Sequence, residues 1–293
     1  MPTNAKKKPP TKLSPGKLKS FVDAGKSSSR VLGPVERFVL STPVDNSRSF
    51  SGLHPSAIVS QWWCHRASYF HLRGHHPAPQ QRTLARELIF AQGHAIHDTW
   101  QTWFAQMGKL YGTWECRVCG NYFWDLSPKE CSECESSSFK YKEVPVENDE
   151  LLILGHADGW LKGFGNDLML EIKSVGQGTF MWLDKAKYLA NGQDFDKSWK
   201  ELGTPFESHI SQVQLYMEMA KLADPTAPDE ALILYEAKPT QAVKEFYIPR
   251  DKWGIQHILD GAALVKDAIM KQVAPDCNIG GAHKCKQCKE YNE

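Results

Sequence analysis

Asp158 followed by Glu171-Ile172-Lys173 is the grouping in this 293-residue chain whose residue types and spacing point most directly to chemistry. Side chains alternate along a strand, so Glu171 and Lys173 would share one face while Ile172 points to the other. The approach Gly155-His156-Ala157 puts Asp158 on the preceding run, and a hairpin between Gly163 and Asp167 would bring the two carboxylates together. Converging carboxylates are the hard oxygen ligands that Mg²⁺ or Mn²⁺ prefers. An ion there lowers the pKa of its water, polarises a phosphodiester and offsets charge developing on phosphorus, with the lysine to orient the nucleophile or neutralise that charge. Taken alone the pattern is weak, because Glu and Lys two apart on a strand are more often a solvated face.

The cysteines form two further groupings. Cys116-x-x-Cys119-Gly120 and Cys131-x-x-Cys134, eleven residues apart, have the spacing of two knuckles that close a tetrahedral thiolate site for structural Zn²⁺. Trp114, Tyr122, Phe123 and Trp124 interleave with that site and are candidates either for stacking on bases or for the small module's own core. Cys277, Cys285 and Cys288 gather near the C-terminus, and Cys64 stands alone. Without a secretory signal, eight cysteines read as metal ligands rather than disulfides.

These groups need elements to position them. Pro55 opens a helix expected over Ser56 to Phe70, and a longer helix is expected from Pro79 to about Met107, with Leu84, Leu88, Ala91, Ala95, Trp100, Trp103 and Met107 near the helical period. Gly93 inside it points to close packing or ligand approach. The cysteine-paired segment covers about 111–142. Strands are expected at Leu151–Leu154, Asp158–Lys162 and Leu168–Ser174, helices at Phe180–Ala190 and Ser208–Ala223, strands at Ala231–Glu236 and Ala242–Ile248, and a last helix from about Asp251 to Val273. The order is mixed α/β. Residues 1–50, rich in Lys, Pro, Ser and Gly, are expected to be a disordered basic arm.

Several pieces in chain order carry a resemblance: Ser56 through Cys64-His65-Arg66 to Tyr69-Phe70, Gly93-x-x-x-His97, Gly155-x-x-Asp158, Glu171-Ile172-Lys173, and Gln212-x-x-x-Tyr216. From about residue 54 to 291 the chain resembles the RecB-like branch of the PD-(D/E)XK nucleases, with the nuclease domains of RecB and AddB, CRISPR adaptation nucleases and phage exonucleases as relatives. The resemblance implies an α/β restriction-endonuclease-like core, a mixed central sheet flanked by helices, over residues 51–293, with the ribbon at 111–142 as an insertion. It implies that His97, Asp158, Glu171 and the Ile172 carbonyl bind Mg²⁺ or Mn²⁺, that Lys173 is the catalytic lysine, and that Gln212 and Tyr216 orient it and contact DNA. Lys238, at a strand end where relatives often place a basic residue, would also contact DNA. Bland alternatives stand beside these: His97 as a packed core histidine, Gln212 and Tyr216 as a bridge from helix to sheet, Lys238 as a solvated side chain. The resemblance further implies a [4Fe-4S] staple from Cys64, Cys277, Cys285 and Cys288. The late spacing, C-x7-C-x2-C, departs from the C-x2-C more usual in relatives, and a local Zn²⁺ site from Cys277, His283, Cys285 and Cys288 competes with the cluster.

The expected activity is metal-dependent DNA exonuclease at single-stranded or processed duplex ends. The alternatives are a structure-specific endonuclease or nickase on the same core, and a catalytically silent nucleic-acid-binding adaptor. A silent adaptor has no need of Lys173 between metal-ligand positions and core. Residues 1–30 carry a net +7 and the rest −6, so DNA would be held by the arm and by local patches. No apolar run approaches the roughly 20 residues that cross a bilayer and no leader is evident, which excludes membrane partners on this reading and puts the protein in the cytoplasm of a bacterial or phage-infected cell. Replication or recombination proteins are possible partners.

Overall fold

A computed structural model describes residues 30–43, 52–75, 81–251 and 253–279. They fall into two units. The smaller takes in helix α1 (Leu32–Ser41) and Gln81–Leu88. Arg82 closes the end of α1: its guanidinium donates to the carbonyls of Val39 (3.2 Å), Leu40 (3.3 Å) and Thr42 (2.9 Å) and pairs with Glu87 at 2.9 Å. A helix end leaves its last carbonyls without intrahelical partners, and a fork of N–H donors suits them. The helix lies inside the stretch expected to be a flexible arm; residues 1–29 are outside the described ones.

The larger unit is built on a mixed sheet. Its strands are β1 (Leu110–Cys116), β2 (Tyr122–Leu126), β3 (Phe139–Tyr141), β6 (Gly159–Phe164), β7 (Asn166–Val175), β8 (Glu230–Ala237) and β9 (Val243–Pro249), in the order β2-β1-β6-β7-β8-β9 with β3 on β1. A separate hairpin joins β4 (Val144–Asn148) to β5 (Ile153–Ala157). β6 and β7 are antiparallel across the hairpin expected between Gly163 and Asp167, where Gly163 and Gly165 take φ of +78° and +92°, open to glycine without strain. β7 and β8 are parallel, which requires a crossover. Helices α5 (Gln177–Leu183), α6 (Lys185–Ala190), α7 (Phe195–Lys200) and α8 (Glu207–Ala223) provide it.

Period-two alternation splits the apolar residues of the sheet into two cores. Met169 and Val175 of β7, with Ala231, Ile233 and Tyr235 of β8, join Val213, Leu215, Tyr216 and Met217 of α8 in one cluster. Leu168, Leu170 and Ile172, with Leu232 and Leu234, join Ile96 and Phe104 of α4 (Leu84–Gln106) in the other. The central strands are therefore apolar on both faces. α4 ends where Gly108, at φ +69°, turns the chain so that Lys109 N–H closes on the Phe104 carbonyl at 2.9 Å.

The structure departs from the expected elements at several places. The first expected helix is two, α2 (Pro55–Ile58) and α3 (His65–Leu72), and α5 with α6 replaces one expected helix. α7 lies between the two helices expected at Phe180–Ala190 and Ser208–Ala223, where none was expected, with Asp194 accepting from Lys197 N–H at 3.0 Å as its cap. β1 also runs from the ribbon into the central sheet and pairs Tyr111 with Trp160 of β6. Last comes α9 (Gln256–Lys271), which packs on α3. A Cβ at Gly261 would lie 2.6 Å from His65 Nε2 and from a ring carbon of Trp63, so that crossing needs glycine. Among the described residues no helix is long and apolar enough to cross a membrane.

Candidate active site

The centre of the site is a carboxylate at the start of β6 facing the middle of β7. The ladder pairs Gly159 with Leu170, so its continuation sets Asp158 beside Glu171. Asp158 Oδ2 accepts the backbone N–H of Ile172 at 2.6 Å, and Oδ1 lies 3.2 Å from Nδ1 of His97, which α4 brings over the strand ends. Glu171, 2% exposed, pairs with the Lys173 ammonium on its own face of β7. From α8, Gln212 reaches in: Lys173 Nζ donates to its Oε1 at 3.2 Å and its Nε2 donates to Tyr216 Oη at 2.6 Å. Lysine can only donate, so the amide's orientation follows from that contact. Six of the residues that the sequence reading assigned to this site, from four separate segments, converge on one spot.

Electrostatics follow from burial and crowding of like charge. Burial is the largest influence on Glu171 and pushes it up to about 7; Lys173 opposes this and Asp158 adds to it. Burial would lower Lys173, but the charges of Glu171 and Asp158 outweigh it, so its ammonium is held more firmly than an ordinary lysine's. That leaves it a cation at neutral pH and unsuited to act as a base. His97 is raised as well, because the hydrogen bond and charge of Asp158 overcome the burial of the ring. Carboxylate and imidazole ligands must lose their protons to bind a metal. Since Glu171 and His97 are both raised, Mn²⁺ affinity should climb steeply as pH rises through about 7, with proton release on binding. Calorimetric titration at about pH 6 and about pH 8 checks this, and equal affinities would mean that these groups are not the ligands.

Three residues of the site carried no mark in the sequence. Gln101, one turn beyond His97, donates to the Asp158 carbonyl at 2.9 Å and lies 3.5 Å from Glu143 Oε1; the i, i+4 spacing from His97 was a usable signal. Glu143, at the β3–β4 junction, has φ +67°, which non-glycine residues rarely adopt, and burial with the Asp158 charge pushes it up to about 7. His209, one turn before Gln212, has Nδ1 2.5 Å from Tyr235 Oη, which itself accepts from Phe206 N–H at 3.0 Å. Burial, helped by the Lys173 charge, lowers His209 to about 3, so the ring stays neutral. Lys238 is engaged: its Nζ donates to the Ile89 carbonyl at 2.9 Å, and burial lowers its pKa.

In the ribbon the four sulfurs of Cys116, Cys119, Cys131 and Cys134 lie within 4.8 Å of one another. Cys116 and Cys134 are 3.5 Å apart, Cys119 and Cys131 3.7 Å. A tetrahedron with bonds of about 2.3 Å sets its sulfurs a little under 4 Å apart, so the group could hold a metal such as zinc. The backbone N–H of Cys119, with that of Val118, lowers Cys116 to about 6 and favours its thiolate. The interleaved aromatics divide by strand parity. Trp114 is buried and Phe123 partly buried against the α4-side core, while Tyr122 and Trp124 are exposed.

Of the other cysteine group, Cys64 and Cys277 are described and come to one corner. Cys64, buried, caps α3, its sulfur accepting Ala67 N–H at 3.4 Å. Asn278 brackets it, Oδ1 accepting His65 N–H and Nδ2 donating to the Trp63 carbonyl, both at 2.9 Å. Cys285, Cys288 and His283 lie outside the described residues.

No protein-family model and no curated protein matches the chain. Solved structures do. The chain is similar in structure to an alkaline exonuclease. That protein, LHK-Exo from Laribacter hongkongensis, is 11% identical, with 77% of this chain and 91% of that one covered at a TM-score of 0.43. Its complex with dAMP matches at 9% identity, 76% and 90% coverage and a TM-score of 0.43. The SSO0001 protein matches at 14% identity, 82% and 83% coverage and a TM-score of 0.34.

Proposed function

We propose that the chain is a divalent-metal-dependent DNA nuclease of the PD-(D/E)XK type, acting as an exonuclease on single-stranded or processed duplex ends. The observation that carries this reading is the convergence of His97, Asp158, Glu171 and Lys173, braced by Gln212 and Tyr216. Two carboxylates and an imidazole suit Mg²⁺ or Mn²⁺, and the Ile172 carbonyl is a further ligand on this proposal. The bound ion supplies a water of lowered pKa and charge neutralisation at phosphorus. Lys173, kept cationic and aimed by Gln212, stabilises charge on the phosphoryl oxygens and orients the nucleophile. Asp158 is itself fixed by Ile172 N–H and by His97, so the ligand set is pre-organised rather than assembled by the substrate.

The ribbon thiolates hold Zn²⁺ on this proposal. For the late cysteines we favour the [4Fe-4S] staple over the local zinc site, because the chain around Cys277 is tied to both neighbours of Cys64. A brown protein whose broad visible absorbance disappears in Cys285→Ala supports the cluster, and a colourless one with two zinc ions rejects it.

The test of function is digestion of end-labelled single-stranded, duplex linear and closed circular DNA with Mn²⁺, by wild type and by Asp158→Asn. Wild type should shorten linear strands from an end and spare the circle. Cleavage of the circle would transfer the reading to an endonuclease, and equal digestion by Asp158→Asn would assign it to another site or to a contaminant.

A further inference from the structure

Sheet register places the outward aromatics of the ribbon on the same face as the catalytic groups. β1 pairs Thr113 with Trp124 and Glu115 with Tyr122 of β2, Glu115 with Lys140 of β3, and Tyr111 with Trp160 of β6; β6 pairs Trp160 with Met169 of β7. Residues paired across a ladder share a face, and so do residues two apart along a strand. Tyr122, Trp124, Lys140, Tyr111 and Lys162 therefore share the face that carries Asp158, Glu171 and Lys173. The side chains are continuous along it: the Tyr111 ring lies 5.5 Å from Trp124 and 5.1 Å from Trp160, which is two residues from Asp158.

Two rings at the far end are open to solvent, Tyr122 at 57% and Trp124 at 47% exposure. Cations line the path. Lys142 sits 5.5 Å over Tyr122, and Lys162 4.1 Å over Tyr111 and 4.6 Å over Trp160. Of the acids on this face, Glu115 is bridged by Lys142 at 2.9 Å and Asp167 takes Lys162 at 3.8 Å and Trp160 Nε1 at 3.0 Å; Asp224 also feels the Lys162 charge, and Asp125 is on the opposite face of β2. Lys140 is exposed beside them.

We infer that the outer edge of the ribbon, Tyr122 and Trp124 flanked by Lys140, Lys142 and Lys162, is a stacking platform for single-stranded DNA that lengthens the substrate path beyond the cleavage site. Aromatic faces interspersed with cations are what a strand of unpaired bases and phosphates requires. A protein partner fits less well, since lysine is depleted where proteins meet. Duplex fits less well too, because its bases are stacked on one another and offer no free face. Binding at this platform does not require cleavage, so the proposal can fail or hold separately from the nuclease reading.

The experiment is fluorescence anisotropy of the full zinc-loaded chain, with Ca²⁺ in place of Mn²⁺, on labelled oligothymidylate and on an abasic oligomer with the same number of phosphates. Wild type should bind thymidylate at least about tenfold more tightly than the abasic strand. Tyr122→Ser/Trp124→Ser should erase that preference and leave abasic binding and zinc content unchanged. Equal binding of the two oligomers by wild type, or a preference that survives in the double variant, overturns the proposal. Should the double variant lose zinc, Trp124→Leu, which keeps the apolar bulk without the ring, is read in its place: a preserved preference overturns the platform and a reduced one supports it. Digestion that proceeds while the platform variants bind as wild type sinks this inference alone. Base-dependent binding without digestion sinks only the nuclease.

Discussion

Lys173→Ala is expected to slow phosphodiester hydrolysis by about a hundred- to a thousandfold or more, the scale on which removing one positioned donor to a developing oxyanion acts. The loss should fall on the rate of a single turnover with Mn²⁺ saturating, while oligonucleotide binding stays close to wild type. A second consequence follows from the ion pair. Glu171 is buried with Lys173 as its cation, and truncating one partner of a buried pair strands the other, a loss of roughly 3–5 kcal/mol. The variant should melt earlier, and the pH above which it binds Mn²⁺ should rise, because Glu171 loses the charge that opposes its burial. Lys173→Arg keeps the charge but not the fit to Gln212 Oε1, and should restore stability more than rate. A Lys173→Ala protein that cleaves like wild type would place the chemistry elsewhere.

Removing the ribbon metal is expected to be the largest perturbation of stability. The knuckles have little else to hold them, and binding of structural zinc contributes on the order of 10 kcal/mol to such modules. Elsewhere the damage would be confined to a small insert; here β1 carries it inward. β1 pairs with β6 beside Asp158, and its Thr113 N–H donates to the carbonyl of Glu143, the acid that faces Asp158 across Gln101. Cys131→Ser, or a chelator strong enough to strip the thiolates, should lower the thermal midpoint by roughly 10 °C or more, at about 2–4 °C per kcal/mol. The near-ultraviolet dichroism of the buried Trp114 should fall with it, and Mn²⁺ affinity should weaken. Zinc analysis and melting curves on the same samples decide the matter: a protein that holds no zinc as purified, and melts alike with and without the four thiols, would refute a metal-built ribbon.

The site was legible where chemistry imposes spacing. Glu171 and Lys173 must share a strand face, and paired CxxC knuckles can close one site, so both could be read from a few residues. His97, Gln212 and Tyr216 were legible only through the family pattern, since an isolated histidine on an apolar helix is more often core and a Gln and Tyr four apart can simply bridge helix to sheet. Glu143 escaped because its place depends on a left-handed turn between two strands that no residue type announces. The break between α2 and α3 escaped for a related reason. Cys64 caps the second helix through its sulfur, a contact with no periodic signature.

The sequence by itself determined the candidate ligand types, the strand hairpin that pairs two carboxylates, the paired cysteine knuckles and the alternation that makes the central strands core on both faces. These are local consequences of covalent geometry and side-chain chemistry. Tertiary structure alone decided that the ribbon continues the central sheet, that its four aromatics divide two inward and two outward, and that Lys238 is spent on a helix carbonyl. Each of those depends on which strand lies beside which. Pairing is settled by the burial of the central strands between α4 and α8, a global balance that no short stretch of residues encodes.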